Sequence, residues 1–113
     1  MRADRLTIKT QESMQAAQEI ARERRHAEIR PLHLLLALAR QQEGVVGPIL
    51  QRLGADPRAV AAAAEERLAT LPRIEGQADV AMSRALSELL RDAEKAAGEF
   101  HDEFLSTEHL LLA

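Results

Sequence analysis

The most informative stretch of this chain is residues 31–40, which read PLHLLLALAR. Leucine occupies five of these ten positions, so the segment is apolar nearly all round instead of along one stripe. Pro31 suits the first position of a helix, because the N–H that proline lacks would have no partner inside the helix there. The stretch therefore predicts a helix over 31–40 that is buried at the centre of the fold.

The sequence on either side of this stretch predicts more helices. Leu and Ala supply 38 of the 113 residues, whereas Val, Ile and Thr supply 13, so the composition favours an all-α fold. Capping residues, prolines and glycines mark where each helix starts and stops. The further predicted helices are Thr7 to about Arg24, about Val45 to Leu53 with Gly54 as the stop, Asp56 to about Thr70, Ser83 to about Ala97 with Gly98 as the stop, and one from near Thr107.

The composition also excludes several classes of function. The chain has no cysteine, which rules out disulfides and thiolate metal sites. The net charge of −3 comes from scattered charges, and two aromatic residues cannot form a base-stacking platform, so we expect no nucleic-acid partner. The longest uncharged apolar stretch, residues 31–39, is too short to span a bilayer, and the residues after Met1 do not read as a secretory signal. We therefore expect a cytoplasmic domain with no membrane partner.

The chain contains an internal repeat. Residues 33–37, HLLLA, recur identically at 109–113, and the same offset of 76 aligns Thr7 with Ser83. An offset of 75 aligns a predicted turn at 26–29 with residues 101–104. Helix start, turn and buried helix thus repeat in the same order, which is typical of a duplicated helical unit.

The repeat predicts how the chain is divided. We expect one domain over 1–113, with a four-helix repeat at 5–70, an inter-repeat loop at 71–78 and the first half of a second repeat at 79–113, the two repeats being related by a pseudo-two-fold axis. The final leucines form less than two turns of helix, and such a helix needs a partner surface. We therefore expect the chain to stop inside a larger protein, so that the second repeat is incomplete.

Several motifs resemble the Clp repeat domain, the amino-terminal domain of the Clp-family AAA+ unfoldases. They are Asp4-Arg5-Leu6-Thr7, Ile29-Arg30-Pro31-Leu32-His33-Leu34-Leu35, Gly44-Val45-Val46 with Pro48 and Leu50, Leu68-Ala69-Thr70-Leu71-Pro72, and Asp102-Glu103-Phe104-Leu105-Ser106-Thr107-Glu108-His109-Leu110. The Pro-Leu-His-Leu and Leu-Pro stretches are more similar to ClpB-type disaggregases than to ClpA- or ClpC-type unfoldases.

The resemblance implies a non-catalytic domain that binds exposed apolar segments of unfolded or aggregated proteins for delivery to an AAA+ ring. It implies a monomeric domain in a hexameric parent protein, with adaptor proteins or a co-chaperone system as further partners. The chain has no Gly-x-x-x-x-Gly-Lys-Ser/Thr motif, so we expect no cofactor in this domain and ATP in the AAA+ modules of the parent.

The resemblance also implies a peptide-binding groove with Thr7, Asp102 and Glu108 at its rim and Leu90 among its apolar residues. The residues themselves allow a structural interpretation of two of these: Thr7 as a helix cap and Leu90 as part of the core. Glu108 lies in the first turn after Thr107, where the helix dipole favours negative charge. We therefore do not interpret Asp102 and Glu108 as a catalytic acid–base pair.

Three positions of this groove that are often leucine in relatives read Asp92, Ala96 and His109 here. These residues imply a more polar, shallower groove. Each leucine that a client no longer buries lowers the binding free energy by roughly 1.5–3 kcal/mol.

Two alternative functions stay open. One is docking of a folded adaptor on a charged patch, as in ClpA- and ClpC-like relatives, which predicts salt-sensitive binding. The other is a small helical-bundle metal protein or enzyme, suggested by four histidines, His26, His33, His101 and His109. No two of them lie one helical turn apart as a ligand pair requires, so we expect each to be a turn or helix-start residue and expect no metal.

Overall fold

Five α-helices and two short strands make up the part of the chain that the structure, a computed structural model, describes: residues 7–41, 44–74 and 80–99. In chain order they are α1 (Ile8–Glu23), β1 (Glu28–Ile29), α2 (Pro31–Arg40), α3 (Val46–Arg52), α4 (Pro57–Leu68), β2 (Ala81–Met82) and α5 (Arg84–Glu99). The predicted helical fold is confirmed, and these five helices end within two residues of their expected bounds. The helix predicted from near Thr107 lies outside the described residues.

The predicted helix caps are present. The Oγ1 atom of Thr7 accepts a hydrogen bond from the N–H of Thr10 at 3.2 Å, which starts α1. The Oγ atom of Ser83 accepts one from the N–H of Leu86 at 3.0 Å, which starts α5. Thr7 and Ser83 are aligned by the sequence repeat, and both satisfy a backbone N–H that has no partner inside its helix. Gly54, the predicted stop after α3, has φ 83°, a left-handed conformation that glycine adopts without steric cost.

Helix α2 is the central helix, as the sequence predicts. It packs against α1, α3, α4 and α5. Its buried residues are His33, Leu34, Leu36, Ala37 and Leu38. Full burial of one leucine side chain contributes about 1.5–3 kcal/mol, so α2 supplies a large part of the stability of the core.

The rest of the core is aliphatic and rich in alanine. Its buried members outside α2 are Ala17, Ile20, Ala21, Ile29, Val46, Leu50, Ala64, Leu68, Leu86, Leu90, Ala93 and Ala97. Both phenylalanines of the chain lie outside the described residues. Small alanine side chains let helices approach closely, so the described helices pack through aliphatic side chains.

Two features differ from the predictions. Helix α5 does not stop at Gly98 but continues to Glu99; glycine costs a helix only about 1 kcal/mol relative to alanine, and buried Ala93 and Ala97 keep this end packed. The predicted turn at 26–29 contains strand β1, which pairs with β2 in parallel. A two-residue strand is too short to show the alternating pattern by which strands are predicted.

The connection between α1 and α2, residues 24–30, is called the junction segment here. Its second residue, Arg25, has φ 55°, in the left-handed region. The N–H of Arg25 donates to the carbonyl of Arg22 at 3.1 Å, and the N–H of His26 donates to that of Ala21 at 2.9 Å. This is the Schellman arrangement, which satisfies the last carbonyls of a helix and turns the chain sharply.

The junction segment also holds two later parts of the chain. The carbonyl of Arg25 accepts from the N–H of Ile74 at 2.8 Å, and the carbonyl of Ile29 accepts from the N–H of Ser83 at 2.9 Å. In the strand pairing, Glu28 lies opposite Ala81 and Ile29 opposite Met82. The loop after α4 and the start of α5 are therefore both attached to this one segment.

Candidate peptide-binding site

Thr7 lies directly before α1 and is half-buried. Besides accepting from the backbone of Thr10, its hydroxyl donates to the Oγ1 atom of Thr10 at 2.9 Å. A hydroxyl group has one donor and two acceptor positions, so its bonds to described residues leave one acceptor position. The capping role of Thr7 is confirmed, and its role in peptide binding stays a prediction.

Leu90 lies in the middle of α5 and belongs to the core. Its exposed fraction is 6%, so its side chain offers a peptide little surface in this arrangement. The interpretation of Leu90 as a core residue is therefore confirmed, and its part in a groove stays a prediction. On the same helix, Asp92 is exposed and Ala96 is half-buried.

The other two predicted groove residues, Asp102 and Glu108, lie outside the described residues, and so does His109. The structure thus locates two of the four residues of the predicted site, Thr7 at the start of α1 and Leu90 on α5. How these two lie relative to the acidic pair stays a prediction of the family resemblance.

A groove of about 630 Å³ runs between α1 and the end of α2 and is called the α1–α2 groove here. It is lined by Lys9, Glu12, Ala16, Glu19, Ile20, Glu23, Ala37, Arg40 and Gln41. Its residues on α1 include a stripe spaced by three and four, which is the spacing of one helix face. No prediction from the sequence located this groove, although that spacing is a signal for it. The charged residues of the stripe point to a polar partner more than to an apolar one.

A smaller cavity of about 260 Å³ lies where α1, the end of α4 and the loop after α4 meet. Its lining residues are Arg24, His26, Glu65, Leu68, Ala69, Leu71 and Arg73. The Oε1 atom of Glu65 accepts from the Nη2 atom of Arg24 at 2.6 Å and also from Arg40. The structure therefore brings a histidine, two arginines and a carboxylate together at this point, which their positions in the sequence did not predict.

Within residues 7–41, 44–74 and 80–99, no group of three or more His, Asp or Glu side chains is arranged to hold a metal ion. In the same part of the chain, no helix is both long enough and apolar enough to cross a membrane.

Comparison with known proteins gives one family over almost the whole chain. Residues 5–113 match the model of the Clp repeat (R) N-terminal domain. The chain is 41% identical over 109 residues to the chaperone protein ClpB of Corynebacterium diphtheriae, which covers 95% of this chain and 13% of that protein. It is 40% identical over 114 residues to ClpB of Pseudomonas putida, which covers 100% of this chain and 13% of that protein. The chain thus spans about an eighth of the length of these curated relatives.

A solved structure with the same fold is a complex of the ClpV N-domain with a VipB peptide. It superposes with a TM-score of 0.81 at 24% identity, covering 96% of this chain and 66% of that one. At this identity the likeness concerns the fold alone. It agrees with the helical architecture predicted from the sequence.

Proposed function

Since this chain belongs to the Clp repeat (R) N-terminal domain family and is a ClpB-like N-terminal domain, we propose that it recognises substrates for an ATP-dependent chaperone. It binds exposed apolar segments of unfolded or aggregated polypeptides and delivers them to the AAA+ ring of the parent protein. The observation that carries this proposal is the match to ClpB over 95% of the chain. ATP binding and hydrolysis belong to AAA+ modules outside this chain, in a hexameric, cytoplasmic parent.

The proposed binding surface is the groove with Thr7, Asp102 and Glu108 at its rim and Leu90 at its apolar side. The free acceptor position on the Thr7 hydroxyl suits the backbone N–H of an extended peptide. The VipB peptide in the ClpV complex supports peptide binding by a domain of this fold. Asp92 and Ala96 make the apolar surface of α5 smaller than a leucine at either position would.

We expect binding by one domain to be weak. Ordering an extended peptide costs conformational entropy, and this cost cancels most of the favourable free energy of burial in a small polar groove. The dissociation constant is therefore on the order of micromolar or higher. Copies of the domain on one hexameric ring raise the effective concentration and hence the avidity. Weak single-site binding is compatible with contact to many different clients.

The test is an NMR titration of the isotope-labelled chain with a reduced, carboxymethylated model protein that cannot fold. We expect chemical-shift changes at Thr7 and along α5, and a several-fold loss of affinity in the variant Asp102→Asn/Glu108→Gln. Glu66→Gln is the matched control, because Glu66 is an exposed carboxylate on α4. Absence of shifts at Thr7 and α5, or equal affinity of the groove variant and the control, contradicts the proposal.

Thr7 needs a separate pair of variants because it also caps α1. Thr7→Ser keeps a hydroxyl that can cap, whereas Thr7→Ala removes both the cap and the acceptor. We expect Thr7→Ser to bind the unfolded protein within about twofold of the original chain and Thr7→Ala to bind more weakly at equal folded fraction. If Thr7→Ala binds equally well when fully folded, Thr7 is a cap and no part of the groove.

The α1–α2 groove favours a second candidate function, docking of a folded adaptor. Glu19 and Glu23 lie one turn apart on its rim, and neither forms an ion pair within the part of the chain that the structure describes. A charged rim predicts association that weakens as salt is raised. In a pull-down with this chain as bait, one dominant partner that the variant Glu19→Lys/Glu23→Lys no longer binds supports this function. Capture of unfolded clients alone contradicts it.

A further inference from the structure

Two buried histidines face each other at the junction segment. The Nδ1 atom of His26 lies 2.8 Å from the Nε2 atom of His33. His26 is 4% exposed and His33 is fully buried. His26 follows the end of α1 and His33 lies in the first turn of α2, so the contact ties together the two ends of the junction segment.

A third group fixes which nitrogen carries each proton. The backbone N–H of Arg30 donates to the Nδ1 atom of His33 at 2.8 Å. A backbone N–H can only donate, so the Nδ1 of His33 accepts and its Nε2 carries the ring proton. That Nε2–H then donates to the Nδ1 of His26, whose own proton lies on Nε2. The three groups form one chain of hydrogen bonds running from Arg30 through His33 to His26.

This chain has no position for an additional proton. A proton on the Nδ1 of His26 places two N–H groups face to face at 2.8 Å. A proton on the Nδ1 of His33 meets the N–H of Arg30 in the same way. Protonation of either ring therefore breaks one of the two hydrogen bonds in a buried environment, where an unpaired donor is costly.

The positive charges around the pair also oppose its protonation. Burial, a charge on His26 and the guanidinium groups of Arg24 and Arg30 together lower the pKa of His33 to about 4. Burial also lowers the pKa of His26, with Arg24, Arg73 and Arg30 as further causes. These cations come from the end of α1, the loop after α4 and the junction segment itself. The carboxylate that α4 brings to this region, Glu65, is already bonded to Arg24 and Arg40.

The junction segment has a structural task that a proton would disturb. It pairs with β2 through β1 and holds the start of α5 through the bond from Ser83 N–H to the carbonyl of Ile29. Helix α5 also packs against α2, but less extensively than α1 and α4 do. We propose that the His26–His33 pair is an acid-sensitive latch: entry of a proton breaks its hydrogen-bonded chain, loosens the junction segment and releases β2 and α5 from the layer formed by α1, α2 and α4.

Amide hydrogen exchange of the 113-residue chain, read residue by residue by NMR and corrected for intrinsic rates, tests this proposal. Between about pH 7 and about pH 5, we expect exchange in α5 and at Ser83 to accelerate roughly tenfold, and we expect the opening free energy at pH 5 to be lower in α5 than in α4. Equal opening free energies in α4 and α5 at pH 5 mean that the whole fold opens at once, and no acceleration in α5 means that the pair is no latch. Either outcome overturns the proposal.

The variant His26→Asn/His33→Gln replaces both rings by amides that do not titrate, and glutamine at the His33 position can still accept from the N–H of Arg30. We expect it to lose the acid response of α5. The matched control, Glu66→Gln, changes an exposed carboxylate on α4 and should keep that response. If the first variant does not fold, NMR titration of the ring C–H signals decides instead: ring pKa values near the ordinary 6.5 for both His26 and His33 overturn the latch.

Discussion

Arg24 at the end of α1 donates from Nη2 to the Oε1 atom of Glu65 on α4 at 2.6 Å, across 41 positions of the sequence. The same oxygen accepts from Arg40 at the end of α2. One carboxylate therefore joins three helices and compensates two cations. Both arginines lie at helix carboxyl ends, where a positive charge is favourable, so the cluster is stabilised by the helices as well as by the ion pairs.

Replacing Glu65 by glutamine should lower the free energy of unfolding by about 1–2 kcal/mol, because charge-assisted bonds to both arginines are lost in a partly buried position. Urea denaturation followed by circular dichroism measures the change. Glu66→Gln, on an exposed position of the same helix, should change it by less than about 0.5 kcal/mol. Equal effects of the two substitutions would show that the cluster adds no stability.

The stability of the chain should decrease as the pH falls from about 6.5 towards about 4. The pKa of His33 is near the ordinary value of 6.5 in the unfolded chain and about 4 in the folded one, so in this interval the unfolded state binds more protons. The contribution of His33 to the free energy of unfolding is fully present well above pH 6.5. It decreases by about 2 kcal/mol between pH 7 and pH 5. Urea denaturation at both pH values measures it. If the free energy of unfolding of His26→Asn/His33→Gln decreases between pH 7 and pH 5 as much as that of the original chain, His33 is not its cause.

Leu36→Ala should lower the free energy of unfolding by about 2–5 kcal/mol, because Leu36 is fully buried on the central helix and its truncation leaves a cavity. Leu53 is the matched control, since 76% of its surface is exposed. Leu53→Ala should change stability by less than about 0.5 kcal/mol. Thermal unfolding of the two variants side by side provides the comparison, and similar melting temperatures would rule out α2 as the centre of the core.

Ser83→Ala should cost about 1 kcal/mol, because the N–H of Leu86 loses its capping partner in a buried position. Ser87 lies one turn further along α5 and is exposed; Ser87→Ala should leave stability unchanged or raise it slightly, since alanine favours the helix interior. Both values come from chemical denaturation. A destabilisation by Ser87→Ala as large as that by Ser83→Ala would refute the cap.

Arg25→Gly should raise the free energy of unfolding by about 0.5 kcal/mol, because glycine adopts the left-handed φ of 55° without the steric cost that arginine carries there. Gly54→Ala is the opposite experiment. Gly54 has φ 83° with no atom within 4 Å of an added Cβ, so alanine there should cost about 1 kcal/mol through the backbone alone. In thermal unfolding, Arg25→Gly should therefore raise the melting temperature and Gly54→Ala should lower it.

The sequence by itself determined the helices and their caps. Thr7, Ser83 and Gly54 act on backbone groups only a few residues away, so their effect is readable locally. The all-round leucine content of residues 31–40 likewise determined that α2 is central, because a helix without a polar face must be buried. The repeat and its motifs pointed to the Clp repeat family, which the comparisons confirm.

Only the tertiary structure decided what the distant side chains do. The ion pair of Arg24 with Glu65, the facing of His26 and His33, and the pairing of β1 with β2 each depend on how helices pack, and packing angles are set by the whole set of core side chains. The same holds for Leu90: its helical position suits a groove as well as a core, and packing against the other helices buried it. The local pattern of a chain specifies its helices, whereas contacts across tens of residues follow from packing that no single stretch contains.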